Sequence, residues 1–493
     1  MIITGSDFSL GSVEDGEPLQ LADELLKALA ENRERMLAAL STREAPVYGV
    51  NTGMGRLSGV VLDARQQAEH QRNLVIGRAV GGPPWLSADE VRLLLLVRLR
   101  DLLRPDVAAG PELVSFLVDR LNDGFTPAVP RSGLGSAGEI IPLSHAFQTF
   151  LGIGTVLEDG VETPAADALA RRGVEPYVLG PKEGVSLIQG SPLAMMHAAQ
   201  GWRFAQQLID FQTQAVAIAV DVLGAPKGVY SPQLAGGDRL LANLLSELGS
   251  LIGNGPARPG LVQAPVSVRV GPRAIAHADR VNGDLMATMT RWDSEPTDSP
   301  AFVDGDFVST TGFHAAELGL RMDALTAALV HVGEVSVQRM HRLLDPQFSN
   351  LPPQLAVDPG PQAGLSPLHK RAVGELHALR RLAMPATLGS IDTSAGQEDV
   401  QAFAWAAGEQ LRTASGHLFA ITACEFIIGA QARHLAPGDG SRGLRAIYTW
   451  IAETVPPVLV DRPLGPEVTT LTTRLRALHP QRLPNPGVGG QVS

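Results

Sequence analysis

The chain has 493 residues, 44% of them hydrophobic and 18% charged, which is enough apolar material for a sizeable buried core in one body or several. A formal net charge of −11 and a pI near 5.6 argue against nucleic acid or an anionic membrane surface as the main partner. A single cysteine, Cys424, excludes an intramolecular disulfide framework and any multi-cysteine metal site, and its apolar setting (HLFAITACEFIIG) reads as core.

In chain order, the opening MIITGSDFSLGSVEDGEPLQ lacks the basic flank and apolar stretch of a secretory signal. No uninterrupted apolar run approaches the roughly 18–20 residues that cross a bilayer, so the expectation is a soluble, cytoplasmic protein. Residues 21–40 (LADELLKALAENRERMLAAL) carry apolar residues at three- and four-residue spacing, the pattern of a half-buried helix. The same pattern recurs from Met195 to Val222, where Phe204, Leu208, Phe211, Ala215 and Ile218 form one stripe. VSVRV (266–270) is the clearest strand signal, and helices are expected at about 312–344, 365–383 and 397–434. GGPP (81–84), GNGPARPG (253–260) and NLPP (350–353) punctuate them as turns. The fold class is therefore mainly α. A loop-rich N-terminal part spans 1–195, a helical bundle with a C-terminal extension spans 196–480, and a tail at 481–493 is expected to be mobile.

Three loops carry chemical character. VYGVNTGMGRLSG (47–59) holds glycines and an Asn-Thr-Gly turn that permit positive φ. Its Tyr48 is either a packed amphipathic residue or, with its acidity tuned by neighbours, a proton-transfer group. PRSGLGSAGEIIPLSHA (130–146) has glycines at 133, 135 and 138 before Glu139 and an apolar segment. Alone it reads as an anion-binding loop at a helix N-terminus, without the lysine of a P-loop. TSAGQEDVQAFAWAAGEQL (393–411) reads as a helix start, with Thr393 or Ser394 as cap and Gln397, Glu398 and Asp399 in the first turn. The twelve histidines show no metal-ligand spacing, so no metal is expected.

Together these loops resemble the histidine and phenylalanine ammonia-lyase family, with aminomutases among its members. QRNLVIGRAVGG (71–82), GPKEGVSLIQGSP (180–192), QAPVSVRVGPR (263–273), SEPTDSPAF (294–302) and STTGFHAAE (309–317) join the three loops in the family's order. The resemblance implies a mainly helical fold and a homotetramer whose active sites are each shared between subunits. It also implies a small-molecule substrate, with neither nucleic acid nor membrane as partner. In the family an Ala-Ser-Gly tripeptide cyclises to 4-methylideneimidazole-5-one, the serine losing water to leave an electrophilic methylidene. Anchored on Glu139 and Pro142-Leu143-Ser144-His145, that tripeptide here is Ser136-Ala137-Gly138. Ala137 has no hydroxyl to lose, and the Ser136 hydroxymethyl would hang from the wrong ring position. The standard cofactor is therefore not expected, and with it goes the electron sink.

By the same resemblance Tyr48 matches the family's catalytic base and Arg269 its carboxylate-pairing arginine, a role suited to a guanidinium fork. Gln263, Phe313 and Glu398 match pocket positions. Arg78 stands where histidine lyases carry histidine; Gln189 and Gly312 replace asparagines, Val266 a tyrosine, and Val400 a histidine. Retained ionisable groups suggest a changed reaction, although Arg78 could equally form a surface or subunit-interface ion pair. The leading expectation is a cofactor-independent lyase or isomerase of specialised metabolism. The alternatives are a conventional lyase or aminomutase with an unusually formed cofactor, and a non-catalytic binding protein.

Overall fold

The computed structural model describes residues 1–8, 17–43, 45–436 and 438–478, and the tail expected to be mobile lies outside them. The described chain is mainly helical. Strands are confined to three two-stranded pieces: Ile2–Ile3 parallel to Gln20–Leu21, and the antiparallel hairpins Thr155–Glu158 with Val161–Pro164 and Ala301–Val303 with Asp306–Val308. The chain folds into two compact units. The first takes Met1–Ala199, Thr288–Leu320 and Ala386–Glu409; the second takes Gln200–Ala287, Arg321–Pro385 and Gln410–Ser493. The first boundary thus falls at 199/200, and two later segments fold with the N-terminal part, which no composition shift in the sequence announces.

In the first unit, Asp63 and Gln66 form a reciprocal capping box that starts the Ala64–Ile76 helix, and Ser87 with Glu90 does the same for Ala88–Leu102. The second of these helices is apolar on most sides (Val91, Leu94, Leu95, Leu96, Leu99, Leu102) and is buried in the core cluster it shares with Leu113, Leu117, Phe147 and Phe150. Burying such side chains contributes about 1.5–3 kcal/mol each. The Glu183–Ile188 helix crosses Ala64–Ile76 so closely that a Cβ on Gly184 would lie 2.2 Å from the Gln71 carbonyl oxygen. Only glycine fits there.

The second unit holds most of the long helices: Pro192–Leu223, Ala316–Leu344 and Ala404–Leu435. Phe211 stacks edge-on against Phe419 and Phe426. At their centre the fully buried Arg339 donates Nε and Nη2 to the two Glu425 oxygens at 2.8 and 3.0 Å. It also reaches Gln212 Oε1 at 2.7 Å, while the Ser336 hydroxyl donates to Glu425. Ala404–Leu435 is the one helix among the described residues long and apolar enough to cross a membrane by composition. Its apolar window is 78% buried, as in a core helix.

Two sequence expectations are corrected. VSVRV is a helical turn, Val266–Arg269, because the chain leaves Pro265 in helical register and Val270 N–H returns to the Val266 carbonyl at 2.9 Å. Four residues of alternating pattern cannot separate a strand from a single turn. The last long helix begins at Ala404, not near 397. Ser394, Ala395, Gly396 and Phe403 all have positive φ, and Thr393 and Glu398 exchange backbone hydrogen bonds, so residues 393–403 close a loop instead. Thr393 and Ser394 therefore do not cap that helix.

Candidate functional site

The first unit brings most of the expected site residues together. Tyr48 sits in a turn after Val47, and the Gly55 N–H donates to its phenol oxygen at 2.8 Å. The loop is pinned from behind: Gln71 Nε2 donates to the Gly49 carbonyl at 3.0 Å while its Oε1 accepts Val185 N–H at 3.1 Å. One buried glutamine therefore clamps the tyrosine loop to the Glu183–Ile188 helix.

The second loop turns through Ser136-Ala137-Gly138 into the Ile140–Gln148 helix. The Ser136 hydroxyl donates to the Gly138 carbonyl at 2.5 Å, and the Ala137 N–H donates to Glu398 Oε2 at 3.1 Å. Glu398 Oε2 also accepts the Thr393 hydroxyl at 3.2 Å. The loop that displaced the expected helix thus carries Glu398 onto the tripeptide. Gly138 lies against Phe313, whose carbonyl accepts the Ser191 hydroxyl at 2.5 Å. Immediately after the tripeptide, Glu139 is buried and accepts Leu193 and Ala194 N–H at 2.6 and 2.7 Å, filling the orphan donors at the start of Pro192–Leu223. Burial pushes its carboxyl up to about 8 despite those two donors.

Arg78 lies two residues beyond Ala64–Ile76 and folds back so that Nη1 donates to the Leu74 carbonyl at 3.3 Å. Burial presses its guanidinium below the usual arginine value, and Tyr48 and Glu398 are near enough to oppose that push. Among the described residues Arg78 makes no ion pair, and Tyr48 and Glu398 lie within electrostatic reach of it. Gln189 ends the Glu183–Ile188 helix, and its carbonyl accepts a hydrogen bond from the buried Arg98, which also donates to the Ser186 carbonyl at 3.3 Å. Gly312 has a packing reason: a Cβ there would lie 2.2 Å from the Pro296 carbonyl oxygen, so no side chain fits without moving the backbone.

Gln263, Val266 and Arg269 belong to the second unit, on one short segment. Gln263 and Val266 are exposed, and Arg269 Nε donates to the Ala264 carbonyl at 3.0 Å. A cavity of about 200 Å³ in that unit, lined by Gln431, Arg433, His434 and Tyr448, includes none of the site residues. Among the described residues no group of three or more His, Cys, Asp or Glu could hold a metal ion.

Residues 9–453 match the family described as aromatic amino acid lyase. The chain belongs to that family. It is 33% identical over 470 residues to a histidine ammonia-lyase of Symbiobacterium thermophilum, covering 92% of both chains. Among solved structures it is similar to Pantoea agglomerans phenylalanine aminomutase, at 21% identity and a TM-score of 0.91 over 97% of this chain and 99% of that one. It is also similar to a tyrosine aminomutase from Streptomyces globisporus, at 23% identity and a TM-score of 0.89 over 96% of each. The fold of this chain is therefore that of the ammonia-lyase and aminomutase structures.

Sequence reasoning missed Thr393 as a partner of Glu398, Gln71 as the loop clamp, and His70. The last stands eight residues before Arg78 in the Ala64–Ile76 helix. That spacing was its only signal, and it is shared by many surface histidines.

Proposed function

We propose that this aromatic amino acid lyase family member is an enzyme that works without the self-made electrophile. Tyr48 would act as acid or base in an elimination, conjugate addition, isomerisation or cyclisation on a small carboxylate- or carbonyl-containing substrate. The observation that carries this reading is the pairing of Ala137 with an intact charged cluster. The residues present do not fit the methylideneimidazolone. Ala137 offers no hydroxyl to eliminate, and the one hydroxyl nearby, on Ser136, is held by the Gly138 carbonyl. Yet Glu398 binds that tripeptide, and Arg78 lies within electrostatic reach of both Glu398 and Tyr48. Half-buried charges without a role cost folding energy, so their grouping supports chemistry at this place.

In such a reaction Tyr48 exchanges a proton at a carbon next to the carbonyl or carboxylate, and Arg78 stabilises the anionic character that develops. Glu398 holds the tripeptide through the Ala137 N–H. Arg269, by family resemblance, would pair with the substrate carboxylate. Leu57, Val60 and Val61 on the tyrosine loop and Leu388, Ile391 and Val400 beside Glu398 are all exposed. This apolar rim supports a homotetramer in which further copies of the chain cover the site. A second reading, an ordinary ammonia-lyase with an unusually formed cofactor, is favoured by the 33% identity to a histidine ammonia-lyase.

Turnover of a panel of amino acids and unsaturated carboxylates, by wild type and by Tyr48→Phe, tests the assignment. Loss of a positioned proton-transfer group lowers the rate by about 10²–10⁴-fold. A Tyr48→Phe enzyme with full activity ends the role given to Tyr48.

A further inference from the structure

His70 is a polar side chain within electrostatic reach of Arg78. It lies on the Ala64–Ile76 helix, one turn before Leu74, and Arg78 follows two residues beyond the helix end. Arg78 folds back toward the helix, its Nη1 donating to the Leu74 carbonyl. The His70 Nε2 atom is buried and has no hydrogen-bond partner among the described residues. An unpaired buried ring nitrogen is costly, and such an atom beside a functional cluster calls for an explanation. Arg78 is in a similar state: among the described residues its guanidinium makes only the Leu74 hydrogen bond. A planar fork with unused donors and an unpaired imidazole nitrogen within its electrostatic reach match one kind of guest, a group with two or three oxygens bearing negative charge.

We propose that His70 and Arg78 together form a seat for an oxyanion, a carboxylate in the simplest case, on the ligand that occupies the Tyr48 site. This rests on the reading of that site as a small-molecule centre and adds what the ligand must carry: a second anionic end beyond the one assigned to Arg269. Burial, and then the Arg78 charge, hold His70 below its ordinary value, which favours its neutral form. The elements packed on this helix present Glu183, which accepts Gly180 N–H and lies 3.4 Å from Arg33, and His145, which accepts Gly81 N–H. Tyr48 and Glu398 act on Arg78. An anion on Arg78 cancels the charge that disfavours imidazolium, so its arrival draws a proton onto His70, and Nε2–H then donates to the guest.

Fumarate and its uncharged diamide, fumaramide, are suitable probes, being alike in shape and different in charge. In the full chain labelled with ¹⁵N-histidine, the resonance lost in both His70→Gln and His70→Asn belongs to His70. Its titration midpoint is expected to rise on adding fumarate and to stay put with fumaramide. Calorimetry near pH 6.5 in two buffers of different ionisation heat should show proton uptake with fumarate in wild type and none in His70→Gln. Arg78→Met should weaken fumarate binding about tenfold or more, as expected for loss of a charge-assisted hydrogen bond. The proposal is overturned if fumarate at about 10 mM, enough to reveal a millimolar Kd, does not bind. It is also overturned if fumarate binds with the His70 midpoint unmoved, or with equal affinity to Arg78→Met. None of these readouts involves turnover, so they can fail while the Tyr48→Phe result stands, and the reverse.

Discussion

Arg339 and Arg78 are two arginines in very different company. Arg339, in the second unit, is fully buried and forks onto Glu425, with Gln212 and Ser336 completing the group. Arg78, in the first unit, is half-buried, touches one carbonyl, and has Tyr48 and Glu398 nearby without a hydrogen bond to either among the described residues. A guanidinium whose partners are complete is already spent on holding helices in register. One whose partners are incomplete has capacity left for a ligand. On the proposed reading, that difference marks Arg339 as structural and Arg78 as open to a ligand.

The comparison can be broken by substitution. Glu425→Leu strands the Arg339 charge in the core and should cost about 3–5 kcal/mol, read as a lower urea midpoint. A loss under about 1 kcal/mol would mean Arg339 is not held as tightly as its geometry implies. Glu139→Leu frees two helix-start N–H groups and should cost about 1–3 kcal/mol in the same measurement, more than any change at Arg78. Arg78→Met should alter stability by no more than about 0.5 kcal/mol while impairing turnover, because nothing in the fold depends on its charge. An Arg78→Met protein as destabilised as Glu425→Leu would erase the contrast.

A smaller effect sharpens the same point in pH. Burial alone would raise the Glu90 carboxyl, but its hydrogen bonds with Arg131 and Ser87 win and hold it at about 2, against an ordinary value of 4.5. The stability it supplies is complete above 4.5 and is lost as pH falls towards 2. Thermal melts of Glu90→Gln between those values should therefore show a flatter acid limb than wild type, with no change in slope near neutrality.

Much of this was legible in the sequence. Helices such as Asp23–Ser41 and Pro192–Leu223 announce themselves because their buried faces repeat at helical spacing over many turns. The glycine-rich loops were legible because tight turns need those residues. VSVRV was not, since five residues carry no period long enough to decide. Glu398 reads as part of a helix start because capping residues and loop acids have the same composition; the positive φ values from Ser394 to Gly396 and the Thr393–Glu398 backbone pair distinguish them. Gly312 read as a lost side chain, whereas the backbone at Pro296 leaves no room for one. The hold of Arg98 on Gln189 joins residues 91 apart, and no local pattern encodes it.

The central claim concerns Ala137, and the intact mass of the purified full chain tests it most directly. The account predicts the unmodified mass, or at most one water lost if the backbone of 136–138 closes. A mass short by one water and a further two hydrogens would reveal a methylidene made by oxidation at Ala137, and would contradict an enzyme working without its electrophile.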